Sequence, residues 1–251
     1  MPLNINNLTF GYSQNQDVFH NLSLEIKDGE CVTLLGSSGS GKSTLFNLIT
    51  SLVNNYDGTI SLKGYSNTDI SYISQSATDM IFPWKRVITN IEFPLKLRNS
   101  LNEETQDKIS SLVSILKLQH RLNHYPSQLS GGELKRLSVA TGLIYSPKLI
   151  LLDEVFTGLD FALKWELWSF IKQEIKALKA TVLIATHDLD EAVYLSNRIV
   201  FINKDKIVDN RQVLIEQIEN LNIEEAFTSN AFISARKQTL KIYKDINNEQ
   251  K

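Results

Sequence analysis

The chain has 251 residues, 42% of them apolar, and a formal net charge of −2. It is long enough to bury a substantial core, and its charge provides no basic field to support nucleic-acid binding. Cys31 is the single cysteine, which excludes an internal disulfide and points to a core role. No run approaches the roughly 18 apolar residues of a membrane span, and the opening Met1-Pro2-Leu3-Asn4-Ile5-Asn6 lacks the pattern of a signal peptide, so a cytosolic chain is expected.

Two alternating segments come first, Leu3-Asn4-Ile5 running on to Leu8-Thr9-Phe10, and Leu22-Ser23-Leu24-Glu25-Ile26. They predict half-buried antiparallel strands, with Gly11-Tyr12-Ser13 in a loop between them. The apolar run Cys31-Val32-Thr33-Leu34-Leu35 then leads into Gly36-Ser37-Ser38-Gly39-Ser40-Gly41-Lys42-Ser43, and Thr44 to Ile49 has amphipathic helical spacing. A strand, a Gly-rich turn and a helix in that order are the context a P-loop requires. Glycines let successive N–H groups curl around a phosphate chain, and the helix N-terminus adds partial positive charge. Lys42 is placed to reach the β- and γ-phosphates and Ser43 to ligate Mg²⁺. Binding of a nucleoside triphosphate is therefore expected.

Asp57-Gly58 is a turn signal, Thr59-Ile60-Ser61-Leu62 alternates, and Ile70 to Ser74 is a short strand ending at Gln75. From Pro83 the texture becomes helical. Segments 87–98 and 103–119 carry helical spacing, the second with Asn102 or a neighbour as its cap and Glu103-Glu104 in its first turn. Tyr125-Pro126-Ser127 breaks the pattern, and Gly132 to Ile144 reads as a further helix. The core resumes at Leu149-Ile150-Leu151-Leu152, a run of the kind buried on both faces of a parallel sheet. A helix over about 161–178, a strand at Thr181 to Ala185, a hairpin around Asn203-Lys204-Asp205 and a polar, helical remainder from about 211 complete the chain. The division expected is a nucleotide-binding α/β core at 1–82 and 146–210, a helical subdomain at 83–145 and a helical extension at 211–251.

Several strand ends carry chemistry. Asp153-Glu154 closes the second buried strand, where one carboxylate suits Mg²⁺ and the other suits activation of a water. His187 follows the next strand, and Gln75 ends another. Leu129-Ser130-Gly131-Gly132-Glu133 opens a helix whose exposed N–H groups can bind an anion. One P-loop already satisfies one triphosphate, so this second phosphate-binding helix start is expected to serve another copy of the chain.

Tyr12, the P-loop at 36–43, Gln75, Leu129 to Glu133, Leu149 to Glu154, Leu159-Asp160 and His187, in that order, resemble the nucleotide-binding subunit of an ATP-binding cassette (ABC) transporter over residues 3–210. The resemblance implies an α/β, RecA-like P-loop core with an N-terminal antiparallel β subdomain and an inserted helical subdomain, an ATPase using ATP and Mg²⁺. It implies that Tyr12 stacks on adenine and that Gly36, Ser37, Ser38, Gly39, Ser40, Gly41, Lys42, Ser43 and Thr44 bind the phosphates. It further implies that Ser43, Gln75 and Asp153 hold the metal and that Glu154, His187 and Gln75 act on the attacking water. Ser130, Gly131, Gly132 and Glu133 would contact ATP on the opposite subunit, with Asp160 in the loop linking the two sites. Glu133 stands where Gln is usual, Val155 where Pro is usual and Thr141 where Arg is frequent.

Phe82-Pro83-Trp84 and Asn90-Ile91-Glu92-Phe93-Pro94-Leu95 are similar to importer subunits of the nitrate/sulfonate/taurine group. Met80, Ile81, Phe82 and Trp84 either pack the helical subdomain or form the groove in which such subunits dock a membrane partner. The implied assembly is a homodimer beneath two permease subunits at the cytoplasmic face of the membrane, with a solute-binding protein and no nucleic acid. An exporter subunit and a soluble ABC-type ATPase acting on nucleic acid or ribosomes are the alternatives.

Overall fold

The computed structural model describes residues 3–13, 16–203, 206–207, 213–214 and 221–248. Two antiparallel strands come first, β1 (Leu3–Ser13) and β2 (Gln16–Ile26). Leu3, Ile5, Leu8 and Phe10 of β1 are buried, and Asn7, at φ 49°, sits in an irregularity that returns Leu8 to the face occupied by Ile5. After β3 (Cys31–Leu35) and α1 (Lys42–Ile49), β4 (Asp57–Ser61) pairs with β1 to give a sheet of order β2-β1-β4.

The remaining elements follow as β5 (Ile70–Ile73), α2 (Val87–Leu97), α3 (Glu103–Ile115), α4 (Gly131–Leu143), β6 (Leu149–Asp153), α5 (Phe161–Leu178), β7 (Thr181–Thr186), α6 (Leu189–Leu195), β8 (Arg198–Asn203), β9 (Lys206–Ile207), β10 (Val213–Leu214), α7 (Ile223–Thr228) and α8 (Asn230–Asn248). The second sheet runs β10-β8-β3-β7-β6-β5, parallel from β8 to β5, with β10 and β9 antiparallel to β8.

This sheet divides the core, because successive strand residues face opposite sides. Val32, Leu34, Leu149, Leu151, Leu183 and Ala185 pack with α1 and the antiparallel sheet. Cys31, Leu35, Ile150, Leu152, Val182 and Ile184 pack on the other side, with α2 to α6 and the C-terminal helices. Burial on both faces is why these strands read as continuous apolar runs. All four parallel neighbours β3, β7, β6 and β5 deliver their C-terminal ends to one edge, and the candidate site lies there.

Five expectations need correction. Gly11-Tyr12-Ser13 is not a loop: β1 continues through it, with Gly11 opposite Asp17 and Ser13 opposite Gln16. Asp57-Gly58 is not a turn but lies within β4, where Gly58 has φ 96° and a Cβ there would sit 2.5 Å from the Asn7 carbonyl; the glycine permits a close approach of backbones. The helix expected over 103–119 ends at Ile115, and Lys117, at φ 55°, turns the chain away. Gly131 belongs to α4, whose cap is Ser130. The tail after 211 contains the strand β10 before its helices. The expected hairpin has its strands in β8 and β9, and its tip at Lys204-Asp205 lies outside the described residues.

Candidate functional site

Between β3 and α1 the chain makes the tight turn its glycines require. Gly36, Gly39 and Gly41 serve different needs. A Cβ on Gly36 would stand 2.4 Å from the Ile202 carbonyl, and one on Gly41 2.8 Å from the Phe19 ring. Gly39 and Gly41 have φ 80° and 93°, a region that disfavours side chains. Lys42 opens α1, is 4% exposed, and donates to the carbonyls of Gly36 (3.0 Å) and Ser37 (2.9 Å). Its ammonium also lies 3.3 Å from Glu154 Oε1. Ser40 is buried, and its hydroxyl has no partner among the described residues. Tyr12 is 66% exposed, its ring edge-on to Phe10 and its hydroxyl 3.2 Å from the Thr44 hydroxyl.

The acidic pair follows from the end of β6. Asp153 is buried, and Tyr72 donates to its Oδ2 at 3.1 Å. Burial pushes its carboxyl up, against the Ser43 hydroxyl and the Tyr72 hydroxyl, which favour the charged form. Oδ1 is enclosed and lacks a protein hydrogen bond of normal geometry. An unpartnered, enclosed carboxylate oxygen beside a serine hydroxyl fits a hard cation such as Mg²⁺, which takes oxygen ligands.

Glu154 leaves the strand with φ 45°, a conformation that costs a non-glycine residue on the order of 1 kcal/mol. The turn is fixed by its N–H, which donates to the Ala185 carbonyl at 2.9 Å. It aims the carboxylate between two groups, with Oε1 at Lys42 and Oε2 3.3 Å from Nδ1 of His187. His187 follows β7 and precedes Asp188, whose carboxylate caps α6 by accepting from the N–H groups of Asp190 and Glu191. Lys164 of α5 donates to the same carboxylate and helps hold it below the usual carboxylate range despite burial. Lys42, Asp153, Glu154 and His187 thus converge at the sheet edge. Gln75 lies just after β5, with its side chain exposed and its carbonyl accepting from Lys135 Nζ.

The second helix start is built differently. Ser130 and Glu133 form a reciprocal cap: Ser130 Oγ accepts from the Glu133 N–H (3.3 Å) and a Glu133 oxygen from the Ser130 N–H (2.8 Å). Glu133 also meets Arg121 at 2.7 Å. The Ser130 backbone bond and the Arg121 guanidinium hold the Glu133 carboxyl low. Glutamate at this position therefore serves as a capping-box residue. Ser130, Gly132 and Glu133 border an open cleft of about 460 Å³ together with Gly158, Asp160 and Leu163. Asp160 caps α5 by accepting from the Leu163 N–H at 3.0 Å. Gly131 has open space around it.

The segment 80–97 settles one choice in two ways. Ile81 is core, at 6% exposure, whereas Trp84 is 70% exposed and cannot be a core residue. Asn90 is buried and organises the loop: it accepts from the Phe82 N–H (2.7 Å) and donates to the carbonyls of Phe82, Lys85 and Arg86. Phe82 packs on Phe93 at 4.6 Å between ring centroids, and the Lys85 ammonium lies 3.8 Å from the Phe93 centroid. Tyr72, Lys135 and Asp188 join the site region without having been singled out from the sequence. Only the inward alternation of β5 could have pointed to Tyr72.

The fold and the cradle define the class as a P-loop nucleotide-binding protein. The profile of the family described as "ABC transporter" matches residues 19–157. The chain is 33% identical over 223 residues to the aliphatic sulfonates import ATP-binding protein SsuB of Bacillus cereus, covering 84% of this chain and 87% of that protein. It is 31% identical to the spermidine/putrescine import ATP-binding protein PotA of Haemophilus ducreyi and 40% identical to the bicarbonate transport ATP-binding protein CmpC of Synechococcus elongatus. Those matches cover 81% and 72% of this chain but only 56% and 28% of the relatives' own lengths. Among solved structures, the dimeric structure of MJ0796, a bacterial ABC transporter cassette, matches with a TM-score of 0.74 and 25% identity, over 86% of this chain and 99% of that one. The chain belongs to the ABC transporter family. No helix among the described residues is long and apolar enough to cross a membrane.

Proposed function

We propose that this chain is the ATP-hydrolysing subunit of an importer, paired with a second copy of itself beneath two membrane-embedded permease subunits at the cytoplasmic face, with a solute-binding protein delivering cargo. The observation that carries the reading is the Glu154 carboxylate, held between Lys42 and His187 at the edge where the P-loop opens. The relatives named for import support the direction of transport. The cargoes in their names, spermidine/putrescine, bicarbonate and aliphatic sulfonates, differ in charge and size, as expected if partner subunits select the solute.

In this reading the chain works in three parts, the core at 1–82 and 146–210, the helical part at 83–145 and the extension at 211–251. The N–H groups of Gly36 to Thr44 and the Lys42 ammonium hold the phosphates, and Tyr12 offers its ring to adenine. Ser43, Asp153 and Gln75 would hold Mg²⁺, which would supply positive charge to offset that of the triphosphate. Arrival of the γ-phosphate draws Lys42 from Glu154. Glu154 then takes a proton from the water whose oxygen attacks the γ-phosphorus, while the bond to the β-bridging oxygen breaks. His187 orients Glu154 and the phosphate. Ser130, Gly131, Gly132 and Glu133 of each copy close over the ATP of the other, and Asp160 lies in the segment joining the two sites. Trp84 and its loop present an apolar surface to the permease.

Glu154→Gln tests this directly. It keeps the side chain's size and removes the base, so turnover should fall by about 10²–10⁴ while ATP binding persists, and the variant should accumulate as an ATP-bound dimer on size exclusion. Turnover near the wild-type rate would overturn the assignment.

A further inference from the structure

Glu191 is a buried carboxyl that the proposed hydrolysis leaves without a task. It lies on α6, four residues beyond His187, and is 2% exposed, and its Oε1 lacks a hydrogen bond of normal geometry. An enclosed carboxyl with an unmet oxygen costs free energy, and a leucine would fill similar space without that cost. Its contacts reach both neighbours of His187. The Thr186 hydroxyl stands beside its carboxyl as a donor and accepts from the Asp188 N–H at 3.1 Å. Its own backbone N–H donates to Asp188 Oδ1 at 3.2 Å. His187, between these two residues, places Nδ1 3.3 Å from Glu154 Oε2, and the Glu154 N–H bonds the Ala185 carbonyl on the same strand end.

The surroundings favour the neutral acid. Burial, then the Asp188 and Glu154 carboxylates, push the Glu191 carboxyl well above its usual range, against Lys164 of α5 and the Thr186 hydroxyl. Lys164 is already engaged by Asp188, and Arg236 of α8 by Asp190. From β3, alternation presents Cys31, Thr33 and Leu35 to this side of the sheet, none of them a cation. We infer that Glu191 is a positioning residue for hydrolysis, its carboxyl seated under the 186–188 turn so that His187 is fixed against Glu154. This rests on the proposed roles of Glu154 and His187. A neutral acid holds the turn without setting a second negative charge beside Glu154 to compete for Lys42 and His187.

The test uses the full chain with Glu191→Gln, Glu191→Leu, His187→Ala and the double variant Glu191→Leu/His187→Ala. Proton NMR of the imidazole C–H groups reads His187 without nucleotide, its signals identified by their loss in His187→Ala. They should shift in Glu191→Leu and stay near their wild-type positions in Glu191→Gln. Glu191→Leu should lower kcat roughly tenfold while a fluorescent ATP analogue binds within about twofold of wild type, and Glu191→Gln should bring kcat back to within about threefold. Added to His187→Ala, Glu191→Leu should lower the rate by less than about a further twofold. Thermal melting supplies a pH profile that a merely space-filling residue would not show. A folded-state pKa raised above the ordinary 4.5 makes wild type lose stability as pH rises through this range. The Tm of Glu191→Gln relative to wild type should therefore climb by at least about 3 °C between pH 5 and pH 8. Because Glu191→Gln keeps the size of the side chain, this arm stands even where Glu191→Leu folds poorly. Unmoved His187 signals in Glu191→Leu, an additive loss in the double variant, or a Tm difference flat with pH would each overturn the inference. Shifted His187 signals with kcat unchanged in both Glu191→Leu and His187→Ala would instead overturn the catalytic role given to His187.

Discussion

The two glycine-bearing helix starts of this chain, at Lys42 and at Ser130, differ in what surrounds them. At the first, the cradle is made within one chain: a glycine turn pressed against Ile202 and Phe19, a buried ammonium, and the Asp153-Glu154 pair at the end of β6. At the second, the residues satisfy one another in a capping box, and Gly131 faces open space. In the proposed dimer, a start that opens outward, beside a first that is closed within the chain, would supply half of a shared site. On that proposal a P-loop protein would hold one nucleotide alone and still need a second copy to turn it over.

The largest effect that would sharpen this contrast is at Lys42. Lys42→Ala removes the cation that now bridges the P-loop carbonyls and Glu154, so monomer affinity for ATP should fall by about 10²-fold, the scale of a charge-assisted contact. Ser130→Arg should leave monomer affinity within about twofold and still stop turnover, because the fault lies in closure. Equilibrium titration with a fluorescent ATP analogue separates the two, and equal losses of affinity would dissolve the contrast.

A middle-sized effect concerns the apolar loop. Trp84 is 70% exposed, so Trp84→Ala should move the melting temperature by no more than about 2 °C. The same change should weaken capture of the permease by roughly 30-fold, the loss of about 2 kcal/mol typical of a truncated aromatic anchor. Unchanged capture would remove Trp84 from the interface.

The smallest effect lies at the opposite end of the sheet. Hydrogen bonds from the backbone and hydroxyl of Ser66, helped by Lys148, hold Asp69 at about 2, below its usual 3.8. A folded-state pKa depressed in this way contributes stability above the unfolded value, and that stability is lost as pH falls from about 4 toward 2. Asp69→Asn should therefore lower the melting temperature by about 1–3 °C at pH 7, with the gap closing below pH 3. A gap that stays constant with pH would show the carboxylate's charge to be irrelevant.

How much of this was legible in the sequence depended on whether the partners were close along the chain. The P-loop residues, the Asp153-Glu154 pair and the helix expected over about 161–178 were readable because their signals are contiguous along the chain, whereas the capping role of Asp160 appeared only in the structure. The resemblance to the ABC family is borne out by the family match over residues 19–157 and by the relatives, and the buried parallel sheet by its packing on both faces. Lys135 was invisible because its partner is a backbone carbonyl 60 residues away, which no side-chain pattern encodes. Gly58 was misread because a glycine needed for close backbone approach looks, in sequence, like one needed for a turn. The role of Asn90 in stapling the Phe82 to Arg86 loop was hidden for the reason that hid Lys135: three of its bonds go to carbonyls.

The central claim is that the Ser130 helix start completes the site of another copy. It is tested most directly by mixing Lys42→Ala with Ser130→Arg, each inactive alone, and measuring ATPase. In a two-fold dimer formed at random, half the pairs are mixed and each carries one intact composite site, so the mixture should recover up to about a quarter of wild-type turnover. Recovery of that order is the expected result. A mixture that forms dimers yet stays as inactive as either variant alone would contradict the account.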